Sequence, residues 1–263
     1  ILLFIKQFLK NKIYQMKLIF LKPQNLKFIL RIFAENFFNK IFKREEISGE
    51  VKKYVFENAT RNNPDSVLEA MDNFAKNKRF LMNIGDIKGS LLTNQLKKIG
   101  SDLTILELGC FCGYSAILMA KNLTKFGKVV SIEVNKTYAR NALEIIKYSG
   151  LKDKIILIEG SSEKIIGTLR YRFDFVLLDH WKNLYKRDLI AIEKRGLLKN
   201  GSIIFADNVG KLISALAGER GFSNDYLDYV RNNNNYTNIN IKTYLEYSMA
   251  EDEVEISTYS LDY

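Results

Sequence analysis

The chain has 263 residues, 47% of them hydrophobic and 27% charged, enough to bury one substantial core and too apolar for a disordered segment. Its net charge of +10 is carried at one end: residues 1–44 hold eight Lys and two Arg against Glu35, which gives +9 and leaves +1 for the rest, so the body lacks the basic surface of a nucleic-acid enzyme. One histidine and the closely spaced pair Cys110 and Cys112 exclude a disulfide framework and a zinc centre, which implies a reducing compartment and leaves any metal to oxygen ligands and a hard cation such as magnesium.

In chain order, residues 1–44 come first and mix apolar and basic residues at near-helical spacing, with Pro23 as a break. No stretch in them reaches the roughly 18 uncharged residues of a spanning helix. They are expected to form one or two amphipathic helices on a membrane surface. A helical hairpin packed on the body and a cleaved targeting segment are the alternatives.

Glu45, Glu46, Ser48 and Gly49 read as a hinge into a body of residues 45–263. Helical patterns follow at 51–58 and 66–77, the second with Ser66 as its cap and Glu69 completing a capping box. Strand patterns at 104–108, 128–132, 155–159, 173–178 and 202–206 each lead into a helix-compatible stretch. Five such repeats predict an α/β fold with a doubly wound, Rossmann-like parallel sheet. A helix near 226–231 and strands at 239–244 and 253–259 predict an antiparallel hairpin closing one edge.

The densest chemical signal is Leu178-Asp179-His180-Trp181-Lys182, which ends the fourth strand and holds the chain's only His and only Trp. Open α/β sheets place ligands at the carboxyl ends of their strands. At the first strand end, Glu107-Leu108-Gly109 and the later Gly113 and Ser115 let a ligand approach the backbone, and Glu133 ends strand two where an acid suits ribose hydroxyls. The spacing is not that of a pyrophosphate cradle, and Glu107 would repel one. An acid there suits an ammonium or sulfonium, which favours S-adenosylmethionine over a dinucleotide. Asp179, Asp207 and Asn208 stand at neighbouring strand ends as three oxygen donors for one hard ion. Lys182 would then lie beside whatever hydroxyl the ion binds, where an amine can act as general base.

Five segments, Met82-Asn83-Ile84-Gly85-Asp86 with Lys88-Gly89, Leu106 to Ser115, Leu178 to Lys182, Ala206-Asp207-Asn208, and Tyr244-Leu245-Glu246-Tyr247, resemble the catechol O-methyltransferase family in order and spacing. The resemblance runs from about Tyr54 to Tyr259. It implies that Glu133 binds the ribose, that Glu107, Gly109, Ile84 and Ser115 hold the methionine portion, and that Ser162, Asp179 and His180 surround the rest of the cofactor. It also implies magnesium on Asp179, Asp207 and Asn208, Lys182 as catalytic base and Glu246 as partner of the second hydroxyl. Phe80, Met82, Trp181, Lys182, Asn208 and Glu246 would line the acceptor pocket.

Three departures bear on the acceptor. Phe80 replaces a tryptophan usual in the family, Phe111 replaces a tyrosine, and a proline expected after the metal-binding Asn is absent from a long 209–225 loop. The expected activity is magnesium-dependent methyl transfer from S-adenosylmethionine to a catechol hydroxyl by a monomer that binds no nucleic acid, in the cytoplasm or on a membrane, with organelle targeting left open. Another phenolic acceptor, or a non-catalytic membrane-associated member of the fold, are the alternatives.

Overall fold

The computed structural model describes residues 20–42 and 46–261. Seven strands form one sheet in the order β3-β2-β1-β4-β5-β7-β6. The parallel set is β1 (Thr104–Leu108), β2 (Lys128–Glu133), β3 (Ile155–Glu159), β4 (Phe173–Leu178) and β5 (Leu198–Ala206). The final strand, β7 (Glu251–Tyr259), inserts antiparallel between β5 and β6 (Tyr236–Tyr244). The expected doubly wound sheet and terminal hairpin are therefore present, with the last strand inside the sheet rather than at its edge.

Successive residues of the central strands point to opposite faces, and both faces are covered, so these strands are apolar almost throughout. Ile105, Phe175, Leu177 and Phe205 pack under α2 (Ile47–Asn58), α3 (Pro64–Asn77), α4 (Gly85–Ile99), α5 (Tyr114–Lys121) and α6 (Lys136–Ser149) through Val51, Met71, Leu92, Ile117 and Ile145. Leu106, Val176 and Ile204 pack with Tyr185 and Leu189 of α8 (Tyr185–Lys194) and Tyr226 of α10 (Asn224–Arg231). Two short helices, α7 (Ser162–Ile166) and α9 (Lys211–Leu216), follow β3 and β5.

Two local expectations change. Ser48 and Gly49 are not a hinge but part of α2, because the Glu46 carboxylate caps that helix by accepting from both their amides, and buried Ser48 accepts from Asn141 Nδ2 at 2.8 Å. The cap of α3 is Asn63, whose Oδ1 accepts from Ser66 N at 3.1 Å, so Pro64 takes the first helical position and Ser66 lies inside the helix. Pro23 opens a helix, α1 (Pro23–Phe42), and a bend at Lys22 separates it from the helical residues 20 and 21, so the expected break is present. That helix lays Asn25, Phe28 and Ile29 against the body. The rest of the N-terminal segment, residues 1–19, lies outside the described residues.

Candidate active site

The parallel register places the chemical groups. Leu108 pairs with Ile132 on one side and Leu178 on the other, and Leu178 pairs with Ala206. Each ladder runs one residue further: Gly109 N donates to Ile132 O at 3.0 Å, Asp179 N to Leu108 O at 2.9 Å and Asp207 N to Leu178 O at 3.0 Å. Gly109, Asp179 and Asp207 therefore stand in one row at the carboxyl ends of the strands. A Cβ on Gly109 would sit 2.4 Å from Asp179 O, and its φ is 99°, so close strand packing demands glycine there in addition to any ligand.

On the β1–β2 side, Glu107 is fully buried. One carboxylate oxygen accepts from the Ser131 hydroxyl, and the other, Oε1, has no partner. Burial pushes its pKa up to about 7, against the lowering pull of hydrogen bonds from Ser115 and Ser131, with the Asp179 and Glu133 charges adding to the rise. A buried carboxylate oxygen without a partner is the feature a bound ammonium would satisfy. Glu133 accepts from Cys110 N at 3.1 Å and Phe111 N at 2.9 Å through Oε2 and from Asn135 N at 2.8 Å through Oε1, so it also orders the turn after β1. Cys110 and Cys112 are buried free thiols, as their spacing requires.

Further along the row, His180 Nε2 lies 2.8 Å from Asp188 Oδ2 while Nδ1 has no partner. Burial lowers the His180 pKa against the opposing pull of Asp188, which keeps the ring neutral at physiological pH. Asp188 is fully buried and also accepts from Arg187 Nε at 2.7 Å, and Arg187 reaches Ser162 Oγ at 3.2 Å. Ile84 is buried at the start of α4. The next residue, Gly85, has φ 63° and stands where a Cβ would come 3.2 Å from the Glu246 side chain.

On the β4–β5–β7 side lies a buried acidic cluster. Oxygens of Asp207, Glu246 and Asp252 fall within 4.8 Å of one another. Lys88, from α4, enters their midst: its Nζ is 2.7 Å from Asp207 Oδ1 and 2.9 Å from Asp252 Oδ2, and it also pairs with Glu246. Burial alone would depress the ammonium, but the carboxylates of Asp207, Asp252 and Glu246 override it and hold it well above the usual lysine range. Asp207 is pushed well above the usual carboxylate range by burial, with Lys88 opposing and Asp179, Glu246 and Asp252 reinforcing the rise. Asn208, at φ 54°, donates from Nδ2 to Asp252 Oδ2 at 2.9 Å and Glu246 Oε1 at 3.4 Å. Lys182 Nζ, nearly buried, lies 3.2 Å from Asp179 Oδ1 and 5.3 Å from the Tyr185 ring centroid.

Asp179, Asp207, Glu246 and Asp252 bring four carboxyl groups together around Lys88 and Lys182. Glu246 Oε2 and Asp252 Oδ1 lack hydrogen-bond partners, and this excess of hard oxygen donors fits a divalent cation. Met82 and Trp181 are half-exposed, whereas Phe80 is buried beneath α1, with its ring 5.2 Å from that of Phe28.

Sequence reasoning missed Lys88, Asp188 and Asp252. Lys88 was visible only as a letter of the 82–89 motif, and nothing about a lysine in an amphipathic helix announces that it is fully buried. Asp252 sits in a run with Glu251 and Glu253 that reads as a solvated strand end.

Comparison with known proteins decides the family. A family model described as O-methyltransferase matches residues 58–236. Catechol O-methyltransferase B of Danio rerio is 37% identical over 212 residues, 79% of this chain and 76% of the relative. The catechol O-methyltransferase of Mus musculus is 34% identical over 80% of this chain and 77% of its own. The chain belongs to the catechol O-methyltransferase family. It is an S-adenosylmethionine-dependent O-methyltransferase. A more partial relative, the transmembrane O-methyltransferase of Propithecus coquereli, is 33% identical over 59% of each chain. Among solved structures, an O-methyltransferase of Streptomyces achromogenes involved in tomaymycin synthesis shares the fold with TM-score 0.64 and 22% identity, over 74% of this chain and 89% of its own.

Proposed function

We propose that the protein moves the methyl group of S-adenosylmethionine to one hydroxyl of a catechol with the help of magnesium. The observation that carries this reading is the buried carboxylate cluster with unpartnered oxygens on Glu246 and Asp252, separated by strand β4 from the unpartnered oxygen of Glu107 on β1. Asp179, Asp207 and Asn208 would hold the ion, and Glu107, Glu133, Ile84, Gly109, Ser115, Ser162 and His180 the cofactor. When bound, magnesium supplies a Lewis acid and template for two adjacent hydroxyls, and the sulfonium supplies an activated methyl group.

The chain's own residues do the remaining work. Lys182, as the neutral amine that a neighbouring divalent cation would favour, would take the proton of the reacting hydroxyl, and the ammonium so formed would pair with Asp179, whose Oδ1 lies 3.2 Å from Nζ. The unpartnered Glu246 Oε2 accepts from the second hydroxyl and fixes which oxygen faces the methyl group. Gly85 lets the 82–85 turn close against Glu246, and Tyr247 OH, 2.7 Å from Asp72 Oδ1, ties the β6–β7 turn to α3. Holding both reactants in line supplies much of the acceleration. His180, neutral and locked by Asp188, offers a flat surface to the adenine.

A second reading, another phenolic acceptor, is supported by one observation: Phe80, which stands where the family resemblance puts a tryptophan, is buried against Leu212 and Ile213 of α9. We further propose that residues 1–44 hold the protein at a membrane surface, a reading supported by their charge of +9 and by the name of the Propithecus relative. No helix among the described residues is long and apolar enough to cross a membrane. Incubation with S-adenosylmethionine, magnesium and a panel of catechol, phenol and substituted catechols tests the acceptor class. A monomethyl ether from the catechols and none from phenol supports the reading; methylation of phenol at the same rate overturns it.

A further inference from the structure

The turn that follows β5 is backed by the start of β7, because the last strand runs antiparallel beside β5 inside the sheet. Ala206 pairs with Glu255, and the pairing continues past the end of β5, where Val209 N donates to Glu253 O at 2.9 Å. Asp252 then stands against Gly210, at which an added Cβ would meet Asp252 Oδ1 at 2.8 Å and Glu253 N at 3.0 Å. The φ of Gly210 is −68°, open to any residue, so it is room for the Asp252 carboxylate and the β7 backbone that favours glycine here.

Asp252 is 2% exposed, and its Oδ2 accepts from Lys88 Nζ and from Asn208 Nδ2, each at 2.9 Å. Asn208 Nδ2 also donates to Glu246 Oε1 at 3.4 Å. A carboxamide has one donor end and one acceptor end. With two carboxyl groups before it, Asn208 turns its NH2 end to them, since the flipped amide would set oxygen against oxygen at the same spacing. Its Oδ1 end is thereby directed away from Glu246 and Asp252. The backbone is fixed as well: Asn208 has φ 54°, a left-handed conformation that Asn tolerates better than most residues, and Tyr185 OH donates to Asp207 O at 3.1 Å just before it. The freedom left to Asn208 is rotation of its amide, and the bond to Asp252 removes it.

We propose that Asp252 is a positioning residue of the metal site, which acts on magnesium through Asn208 by holding that amide with its carbonyl oxygen, and not its nitrogen, presented to the ion. The proposal rests on the assignment of Asn208 to magnesium made above. A hard cation with few protein ligands takes oxygen in near-octahedral geometry, and an amide NH2 offers it none, so a flipped Asn208 is a lost ligand. Lys88 shares Oδ2 and keeps Asp252 at this post.

Magnesium affinity of the full chain, read by calorimetry with S-adenosylmethionine present and no acceptor, tests the assignment. Asp252→Ala weakens it by about ten- to a hundredfold, the usual effect of removing a group that orients a metal ligand, while cofactor affinity is unchanged. Asp252→Asn loses the same charge but keeps an oxygen for Asn208 Nδ2, and its magnesium affinity stays close to that of the wild type. Asn208→Asp has an oxygen at either end of its side chain, so in that background Asp252→Ala costs little. Equal losses in Asp252→Ala and Asp252→Asn, or the same loss from Asp252→Ala in both backgrounds, overturn the proposal, because charge alone or ligation by Asp252 itself would then account for them. Gly210→Ala, which keeps every polar group and only crowds Asp252 away from Asn208, gives an independent reading if Asp252→Ala does not fold: magnesium binding weakens severalfold, and wild-type affinity overturns the proposal. Because metal binding needs no turnover, a protein that passes these tests yet methylates no catechol fails the proposed reaction and not the role of Asp252, whereas a wild type that binds no magnesium overturns both.

Discussion

Lys88 and Asp207 form a fully buried ion pair at 2.7 Å, contributed by α4 and the carboxyl end of β5. The pair sits where the family resemblance puts a metal ligand, and Asp252 and Glu246 share the same ammonium. One cation among three carboxylates is the arrangement that keeps an acidic pocket folded when no metal is bound, because unpaired buried charge is costly.

Replacing Lys88 by Gln therefore destabilises the protein by about 3–5 kcal/mol, the usual cost of leaving buried partners unpaired. Magnesium restores part of the loss, since a ligand that binds only the folded state stabilises it by mass action. Thermal unfolding with and without magnesium checks this. The metal-induced rise in Tm is larger in the variant than in the wild type, and an equal rise in both would mean that Lys88 and the metal do not share a charge balance.

Lys182→Ala removes the proposed proton acceptor without touching the cofactor's contacts. Turnover falls about a hundred- to ten-thousand-fold, the usual contribution of general base catalysis. Cofactor affinity, measured by calorimetry, changes little. A variant with wild-type turnover would show that the proton leaves by another route.

Glu107 gives the protein a pH signature. Its folded pKa of about 7 lies above the ordinary 4.5. Between those values the folded protein keeps a proton that the unfolded chain has released. The contribution of this group to stability is thus complete below pH 4.5 and is lost as pH rises through about 7. A cofactor ammonium favours the ionised carboxylate, so binding expels a proton below pH 7 and affinity declines as pH falls. Calorimetry at pH 6 in buffers of different ionisation enthalpy reads the released proton. Glu107→Gln binds more weakly and releases none.

The sheet could be read from the sequence because its strands are buried on both faces and separate cleanly into apolar runs ending in polar residues. The row Gly109, Asp179 and Asp207 followed from those runs. Helix starts were less readable: Ser66 has the chemistry of a cap, but Pro64 already fits the first helical position, and Asn63 before it takes the role. Tertiary partners were unreadable where one residue type serves two purposes. Asp188 looks like an ordinary first-turn acid of a helix until His180 is found 2.8 Å away, and Lys88 looks like a solvated lysine until three carboxylates close around it. The apolar residues of α1 announced an amphipathic helix, but sequence could not say that one apolar face covers Phe80 and the other faces outward.

The central claim is that a divalent ion completes the Asp179, Asp207 and Asn208 site and permits methyl transfer to a catechol. The most direct test is the rate of monomethyl ether formation from catechol and S-adenosylmethionine as magnesium is added to chelator-treated protein, for the wild type and for Asp207→Ala. The account predicts no product without metal, a saturable rise with magnesium in the wild type, and no response in the variant. Full turnover in the presence of chelator, or an unchanged magnesium response in Asp207→Ala, would contradict it.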